Sequence, residues 1–513
     1  MSGKVFLVGA GPGAPDLITL RAAGALRIAD VVVYDFLASP EILKFAPPAA
    51  ERIYAGKRGG GGERAAEQSE INRILIEQAR AGKRVVRLKG GDPFIFGRGG
   101  EECEALRAAG IDYEIIPGVT SAIAAPAFAG IPLTHRERGS FVVFATGHQD
   151  AARDGESSVP WEMLAQAANG RGTIVMLMAT ARMKEIFARM AAAGMPPQTP
   201  AAAIQWGATA AQRTVFGALE TLADEAARAG IGAPAVIVVG ECAALGRELA
   251  WIERMPLFGR RILVTRAAEH AGEFAARLRA LGAEAIEFAT IASAPPSSHD
   301  ALDRAIAEIE TFDWIIFTSA QGVARFFARM RERGRDIRAM SRAALAAIGP
   351  ATAARLGEYA LTVAATPREY RAEALIEAIG AARIAGARIL IPRAETAREV
   401  LPETLRRLGA REVVVAPAYR TIRPDPDESE RIAAMLEDGA IDLAAFTSSS
   451  TVENFVAIVG AAAARRTKAA VIGPITAATA RAHGLEIAVE AAQYTIDGLT
   501  EAIAGWCAEA PRR

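Results

Sequence analysis

The feature that most constrains this chain is its regular alternation of short apolar, β-branched runs with Ala-, Leu- and Glu-rich segments. In the first half the runs are VFLVG, VVVYD, RVVRLKGGD, YEIIPG, SFVVFATGH, TIVMLMA, AAIQWG and AVIVVG. The second half continues with RILVTRA, DWIIFTSAQGV, ALAAIG, RILIPRA, EVVVAPAYRT, DLAAFTSSSTV and AAVIG. Runs this short and this apolar read as strands buried on both faces, with the segments between them as covering helices. The pattern therefore predicts an α/β fold with parallel or mixed sheets. At 513 residues the chain is too long for one core, and three or four domains of roughly 150 residues are expected.

Two segments read as fresh starts: Lys4–Gly13 (KVFLVGAGPG) and Arg260–Ala267 (RRILVTRA). Each has a basic beginning, an apolar run and then a turn. Between them periodicity fades over Gly246–Gly259, with Pro256 and Gly259 as punctuation, which places the main boundary at 251–258. A break at Pro117 and Gly118 is the expected seam between two lobes, 1–117 and 118–250, of about five strands each. The second half holds an internal echo. Phe312–Phe327 is similar to Ile441–Val456, and Ala346–Leu356 to Ala470–Ala480, a duplication of two α/β units rather than a solenoid. In both copies a strand, a Thr-Ser pair and a helix follow in order, which puts hydroxyls and amides at a helix N-terminus. Such a pair caps the helix and can also bind an anion.

Charge and cysteine usage exclude several classes. With 59 Lys+Arg against 59 Asp+Glu, nothing marks a partner among nucleic acids or membrane surfaces. Cys103, Cys242 and Cys507 are widely spaced and form no CxxC pair, so neither a disulfide framework nor a cysteine-rich zinc site is read, and a reducing compartment fits. His135 and His148 stand alone, and no metal is expected. The N-terminus lacks the longer apolar segment of a signal peptide. The apolar stretch Val119–Leu133 is broken by Ser, Thr, Pro and Gly, short of the ~20 residues that cross a bilayer. A cytoplasmic protein is expected.

Three elements of the first half carry chemistry. In VGAGPG, Gly9 and Gly11 allow a tight turn and close approach of a nucleotide-like ligand. With Asp35 ending the next strand, the loop also passes for a dinucleotide fingerprint, although Pro12 removes a donor that a phosphate would use. Val86–Glu102 (VRLKGGDPFIFGRGGEE) carries a strand into Gly90-Gly91-Asp92-Pro93, a bare backbone with an acceptor beside it, or equally an ordinary turn. Pro117–Arg136 places Thr120 and Ser121 at a helix start, as caps or as ligand contacts.

Taken in order, VGAGPGAPDLITL, YD, GKR (Gly56–Arg58), QSEIN (Gln68–Asn72), VRLKGGDPFIFGRGGEE, PGVTSAIAAPAFAGIPLTHR and TGH (Thr146–His148) cover residues 3–245 and closely resemble the uroporphyrinogen-III C-methyltransferases of the tetrapyrrole methylase superfamily. The resemblance implies a homodimer of two-lobed subunits that transfers methyl groups from S-adenosylmethionine to carbons 2 and 7 of uroporphyrinogen III, giving precorrin-2. It puts the cofactor against Pro12, Gly90, Gly91, Asp92, Ile95, Thr120, Ser121, Met178 and Gly207. It places a proton acceptor on Asp35 and a proton donor on Lys57, a residue that serves equally as a contact for substrate carboxylates. Some of Arg21, Arg58, Arg87, Arg98 and Arg136 are expected to grip a substrate of eight carboxylates. Ala14 stands where the family usually has Asp.

From 259 to 513 the residues alone show no nucleophile–base pair, P-loop or metal cluster. The ordered motifs RRILVTRA, IFTSAQGV, IGPATAARL, ILIPRAETAREVLPETLRRLGA, YRT, AFTSSSTV, VIGPITAATARAHGL and YTIDGL nevertheless resemble the uroporphyrinogen-III synthases. Gln321 replaces a common Asn. The resemblance implies closure of hydroxymethylbilane with inversion of ring D and loss of water. It also implies a two-lobed, flavodoxin-like fold with lobe one formed by 259–293 and 421–513 and lobe two by 294–420. Substrate contacts fall on Arg266, Thr318, Ser319, Arg393, Thr447, Ser448 and Thr476, with Tyr419 as a donor to the departing hydroxyl or a structural lining residue. The second half would then make the substrate of the first. The rival readings are a methyltransferase with a noncatalytic binding module and a dinucleotide-dependent oxidoreductase.

Overall fold

The apolar runs fold as strands of four five-stranded sheets, in a computed structural model that describes residues 3–56, 68–147, 159–265, 268–290, 292–367, 372–397, 399–422 and 426–509. Sheet one holds β1 (Lys4–Gly9), β2 (Val31–Tyr34), β3 (Glu51–Tyr54), β4 (Arg84–Lys89) and β5 (Asp112–Ile116), all parallel, in the order β3-β2-β4-β1-β5. Sheet two is mixed, with β6 (Phe141–Thr146), β7 (Gly172–Leu177), β8 (Pro200–Gln205), β9 (Arg213–Ala218) and β10 (Ala235–Val239) in the order β6-β7-β10-β8-β9.

The next two sheets are interleaved along the chain. Sheet three takes β11 (Arg261–Val264), β12 (Glu284–Glu287), β18 (Leu443–Phe446), β19 (Lys468–Val471) and β20 (Glu486–Glu490). Sheet four takes the intervening β13 (Ala292–Ala294), β14 (Trp314–Phe317), β15 (Ala344–Ala347), β16 (Arg388–Ala394) and β17 (Glu412–Ile422). Sheet three is parallel in the order β12-β11-β18-β19-β20, the flavodoxin-like order 2-1-3-4-5. Sheet four runs β13-β17-β16-β14-β15, with β13 antiparallel at its edge. Thus β13 and β17, the strands on which the chain enters and leaves sheet four, pair with each other through Ser293 and Thr421.

Each sheet is apolar on both faces, so each carries two clusters of buried side chains. On sheet one, Val8, Val32, Val86 and Leu88 face one way, and Val5, Leu7, Val31, Val33 and Val85 the other. That second face is covered by the helices Gln68–Arg80 and Gly99–Ala108. Burial of each such large side chain contributes roughly 1.5–3 kcal/mol. The sequence pattern omits β3, β9, β12, β13 and β20, and all five are sheet edges. With one neighbour each, β3, β9 and β20 carry exposed charges such as Glu51, Arg213 and Glu486, β12 begins and ends on half-buried glutamates, and β13 is only Ala-Ser-Ala, so none is an unbroken apolar run.

Candidate active sites

The first site grows from backbone packing. Gly11 and Gly91 exchange hydrogen bonds, Gly11 N to Gly91 O at 3.1 Å and Gly91 N to Gly11 O at 2.7 Å, which joins the loop after β1 to the loop after β4. A Cβ on Gly9 would stand 2.5 Å from Gly118 Cα, and one on Gly118 2.3 Å from Gly91 O. Much of the glycine requirement therefore comes from chain packing on chain. Gly91, at φ +67°, keeps an open side whose nearest atoms are Ser121 N at 3.6 Å and Thr120 Cα at 3.7 Å. Thr120 caps the helix Ser121–Phe128, its Oγ1 accepting from Ala122 N at 3.3 Å. The bare strip at Gly91 thus looks onto that helix start. Asp92 is held by the protein itself, Oδ1 accepting from Phe94 N at 2.8 Å and Oδ2 from Gly118 N at 3.0 Å.

Loops of the second lobe close on the same place. The Phe36 and Trp206 rings meet edge to face at 5.9 Å, a Cβ on Gly13 would strike Thr209, and one on Gly207 would lie 2.3 Å from the Ala125 Cβ. Of the six non-glycine residues with left-handed backbone among the described residues, Phe96, Arg98, Met178, Trp206 and Ala208 lie on these loops, and Ile95 and Met178 are exposed beside them. Such backbone costs about 1–3 kcal/mol per residue and collects at ligand sites. Pro12, Gly90, Gly91, Ile95, Thr120, Ser121, Met178 and Gly207 all sit on these segments, and of the two glycines of the turn Gly91 keeps an open side while Gly90 packs against Leu37.

Asp35 follows β2 at the rim. Its Oδ1 accepts from Leu37 N at 3.1 Å and its Oδ2 meets Arg87 Nη2 at 3.3 Å. Behind Arg87 is a buried cluster: Glu102 Oε1 receives Lys89 Nζ at 2.7 Å, Arg87 Nε at 3.2 Å and Gln68 Nε2 at 3.3 Å. Burial pushes the Lys89 ammonium below its ordinary range, the Arg87 charge adds to that, and Glu102 opposes it. Arg87 is therefore committed inside the protein and unavailable to a substrate carboxylate. Arg21 pairs with Glu114, and Arg98 with Glu101 at 2.7 Å, both on the surface. Arg136 is exposed. Lys57, Arg58 and His148 lie outside the described residues.

In the second half the two Thr-Ser pairs are helix caps, as their spacing predicts. Ser319 Oγ accepts from Gly322 N at 3.0 Å, and Ser448 with Thr451 forms a capping box on the helix Ser449–Val459. Thr318 and Ser319 follow β14, whereas Thr447 and Ser448 follow β18 of the other sheet. Ser319 Oγ also lies 3.1 Å from Tyr419 Oη. Arg393 is buried at the end of β16 and pairs with Glu399. Thr476 is 5% exposed within the helix Pro474–Ala482, which leaves its hydroxyl little to offer a ligand. Arg266 lies outside the described residues. One group escapes the sequence reading: Ser293 Oγ accepts from Gln321 Nε2 at 2.6 Å and from Arg325 Nη2 at 3.1 Å. Gln321, in the position of the usual Asn, thereby ties the helix after β14 to β13.

Comparison with known proteins matches both halves. The family of Tetrapyrrole (Corrin/Porphyrin) Methylases matches residues 4–223, and that of Uroporphyrinogen-III synthase HemD matches 272–501. A porphyrin biosynthesis protein HemD of Ruminiclostridium josui is 38% identical over 501 residues, 97% of each chain. A uroporphyrinogen-III C-methyltransferase of Bacillus subtilis is 39% identical over 340 residues, 66% of this chain and 68% of that one. A siroheme synthase of Pseudomonas aeruginosa is 49% identical over 252 residues, 49% of this chain, which spans about half of that relative's length (52%).

Proposed function

Since the chain belongs to the tetrapyrrole methylase and uroporphyrinogen-III synthase families, fused as one bifunctional enzyme of tetrapyrrole biosynthesis, we propose that its C-terminal half closes hydroxymethylbilane to uroporphyrinogen III and its N-terminal half methylates that product at carbons 2 and 7 to precorrin-2. The division is residues 1–250, a linker at 251–258 and 259–513. The observation that carries the reading is the convergence of the 9–13, 90–92, 118–121 and 206–209 loops on one open strip of backbone.

S-adenosylmethionine supplies an electrophilic methyl group when bound. Pro12, Gly90, Gly91, Asp92, Ile95, Thr120, Ser121, Met178 and Gly207 are the residues that would hold it. Asp92 does so indirectly, by stapling Gly118 and Phe94 in place. Methylation of a pyrrole carbon requires orientation and then loss of a framework proton. Asp35, whose side chain is 24% exposed, is assigned to accept that proton, and Lys57 to donate one or to hold a substrate carboxylate. In the synthase half the substrate is itself reactive, so the work of the site is to hold it in the productive fold. Thr318, Ser319, Thr447, Ser448 and Arg266 are assigned to its acetates and propionates, and Tyr419 to the departing hydroxyl, while Arg393, buried and paired with Glu399, is assigned to holding the end of β16. The assembly is read as a homodimer through the first half, in the cytoplasm. Among the described residues no helix is long and apolar enough to cross a membrane.

The test is to supply hydroxymethylbilane with and without S-adenosylmethionine and to identify products by mass and isomer. Isomer III without the donor and a dimethylated product with it are expected. Isomer I alone, the product of spontaneous closure, overturns the synthase assignment. Failure to methylate supplied isomer III overturns the other.

A further inference from the structure

β4 reads RVVRLK, and Val85, Arg87 and Lys89 share the face covered by the helix Gly99–Ala108, where Val85, Cys103 and Leu106 form ordinary apolar core. Two cations two residues apart on such a face demand an anion. Glu102, itself 0% exposed, supplies it, with Arg87 and Lys89 each 4% exposed. Its Oε1 takes all three donors, and its Oε2 has no hydrogen-bond partner among the described residues. Buried ion clusters are commonly no more stable than apolar packing of the same volume, so stability alone does not account for this one.

The cluster leads outward to Asp35. The Arg87 guanidinium is fixed on three sides: Nε on Glu102, Nη1 on Leu88 O at 3.0 Å, and Nη2 on Asp35. A rigid fork held in this way sets the direction of the Asp35 carboxylate. Lys89 gives Glu102 a second line. Its side chain is on Glu102, its backbone O accepts from Ala10 N at 2.7 Å, and Gly90 follows it directly. One buried carboxylate therefore sits behind both Asp35 and the glycine turn.

We propose that Glu102 is a positioning residue for methyl transfer: it fixes Asp35 through Arg87 and registers Asp35 against the Gly90-Gly91 turn through Lys89. The proposal rests on the reading of Asp35 as proton acceptor, and the test separates the two. The full-length protein is made as Glu102→Gln, Asp35→Asn and the double variant, and methylation of supplied uroporphyrinogen III is followed together with S-adenosylhomocysteine binding. Glu102→Gln is expected to lower kcat by ~100-fold with KM and S-adenosylhomocysteine affinity held within about twofold, the mark of lost orientation rather than lost binding. In the Asp35→Asn background the same change is expected to add nothing, because the group it positions is already gone. An undiminished kcat in Glu102→Gln, or an equal further loss in the double variant, overturns the proposal. Asp35→Asn with wild-type kcat removes Asp35 from the reaction, and the proposal falls with it. If Glu102→Gln fails to fold, Lys89→Met with Glu102→Gln removes a cation with the anion and carries the same comparison, with the same outcomes.

Discussion

Ser319 Oγ and Tyr419 Oη lie 3.1 Å apart, although the two residues are separated by 100 positions, Ser319 in the turn after β14 and Tyr419 within β17 of the same sheet. Ser319 is already occupied as a helix cap by Gly322 N. Its contact with Tyr419 therefore fixes the phenol at a helix N-terminus, where a developing negative charge is favoured. Tyr419→Phe is expected to lower enzymatic formation of isomer III by about 100-fold or more, in the range for loss of a general acid. Methylation of supplied uroporphyrinogen III should stay at the wild-type rate. Ring-closure assays with isomer separation check both. Ser319→Ala should cost stability as well, roughly 1 kcal/mol for the lost cap.

At Gly118 there is no room for a side chain. A Cβ there would lie 2.3 Å from Gly91 O and 2.7 Å from Gly9 Cα, both backbone atoms that cannot swing aside. Gly118→Ala is expected to force the β1 and β4 loops apart and to abolish methylation, while ring closure by the second half continues. Parallel assays of the two activities on one preparation decide the matter, and a fully active methyltransferase would contradict the packing argument.

Much of this arrangement is legible in the sequence, for local reasons. The central strands are buried on both faces and so read as VFLVG or WIIF in the sequence. The edge strands β3, β12 and β20, written ERIY, EAIE and EIAVE, have one strand neighbour each, mix charged residues into the run and lose that signal. The Thr-Ser caps were readable because a cap is a contact within four residues. The contacts among Gly9, Gly91 and Gly118 were not, since they join residues up to 109 positions apart, and the glycines looked instead like space for a ligand. Glu102 is not legible in the sequence, where Arg87 reads as a candidate grip for substrate carboxylates. GRGGEE offers two neighbouring glutamates, and only the helix register with Cys103 and Leu106 turns Glu102 inward and Glu101 out.

Asp92 gives a prediction that separates two roles. Both its oxygens accept backbone N–H groups, from Phe94 and from Gly118, so it acts as a staple between two loops. Asn keeps one acceptor and turns the other position into a donor facing an amide. Asp92→Asn is therefore expected to destabilise the first half by about 1–3 kcal/mol and to weaken S-adenosylhomocysteine binding, with ring closure unaffected. Calorimetric titration and thermal melting measure the two effects, and weakened binding at undiminished stability would make Asp92 a direct ligand contact instead.

The last prediction concerns the contact between the halves. Lys44 meets Glu428 at 2.8 Å and Glu41 at 3.1 Å, and its Nζ also reaches the backbone O of Glu287, while Arg431 approaches Glu41 at 3.6 Å. Burial pushes the Glu41 carboxyl above its ordinary range, Glu428 adds to the rise, and Lys44 and Arg431 oppose it. A carboxyl whose pKa is higher folded than unfolded binds its proton more tightly in the folded state. Its contribution is therefore fully present below the unfolded pKa and is lost as pH rises through the folded one. Glu41→Gln removes that dependence. The melting temperature of Glu41→Gln minus that of the wild type is expected to increase from about pH 4 to about pH 7. A difference that stays flat would mean that the ion pairs with Lys44 and Arg431 just offset the cost of burying the charge, and one that falls would mean that they outweigh it, so that this cluster holds the two halves together.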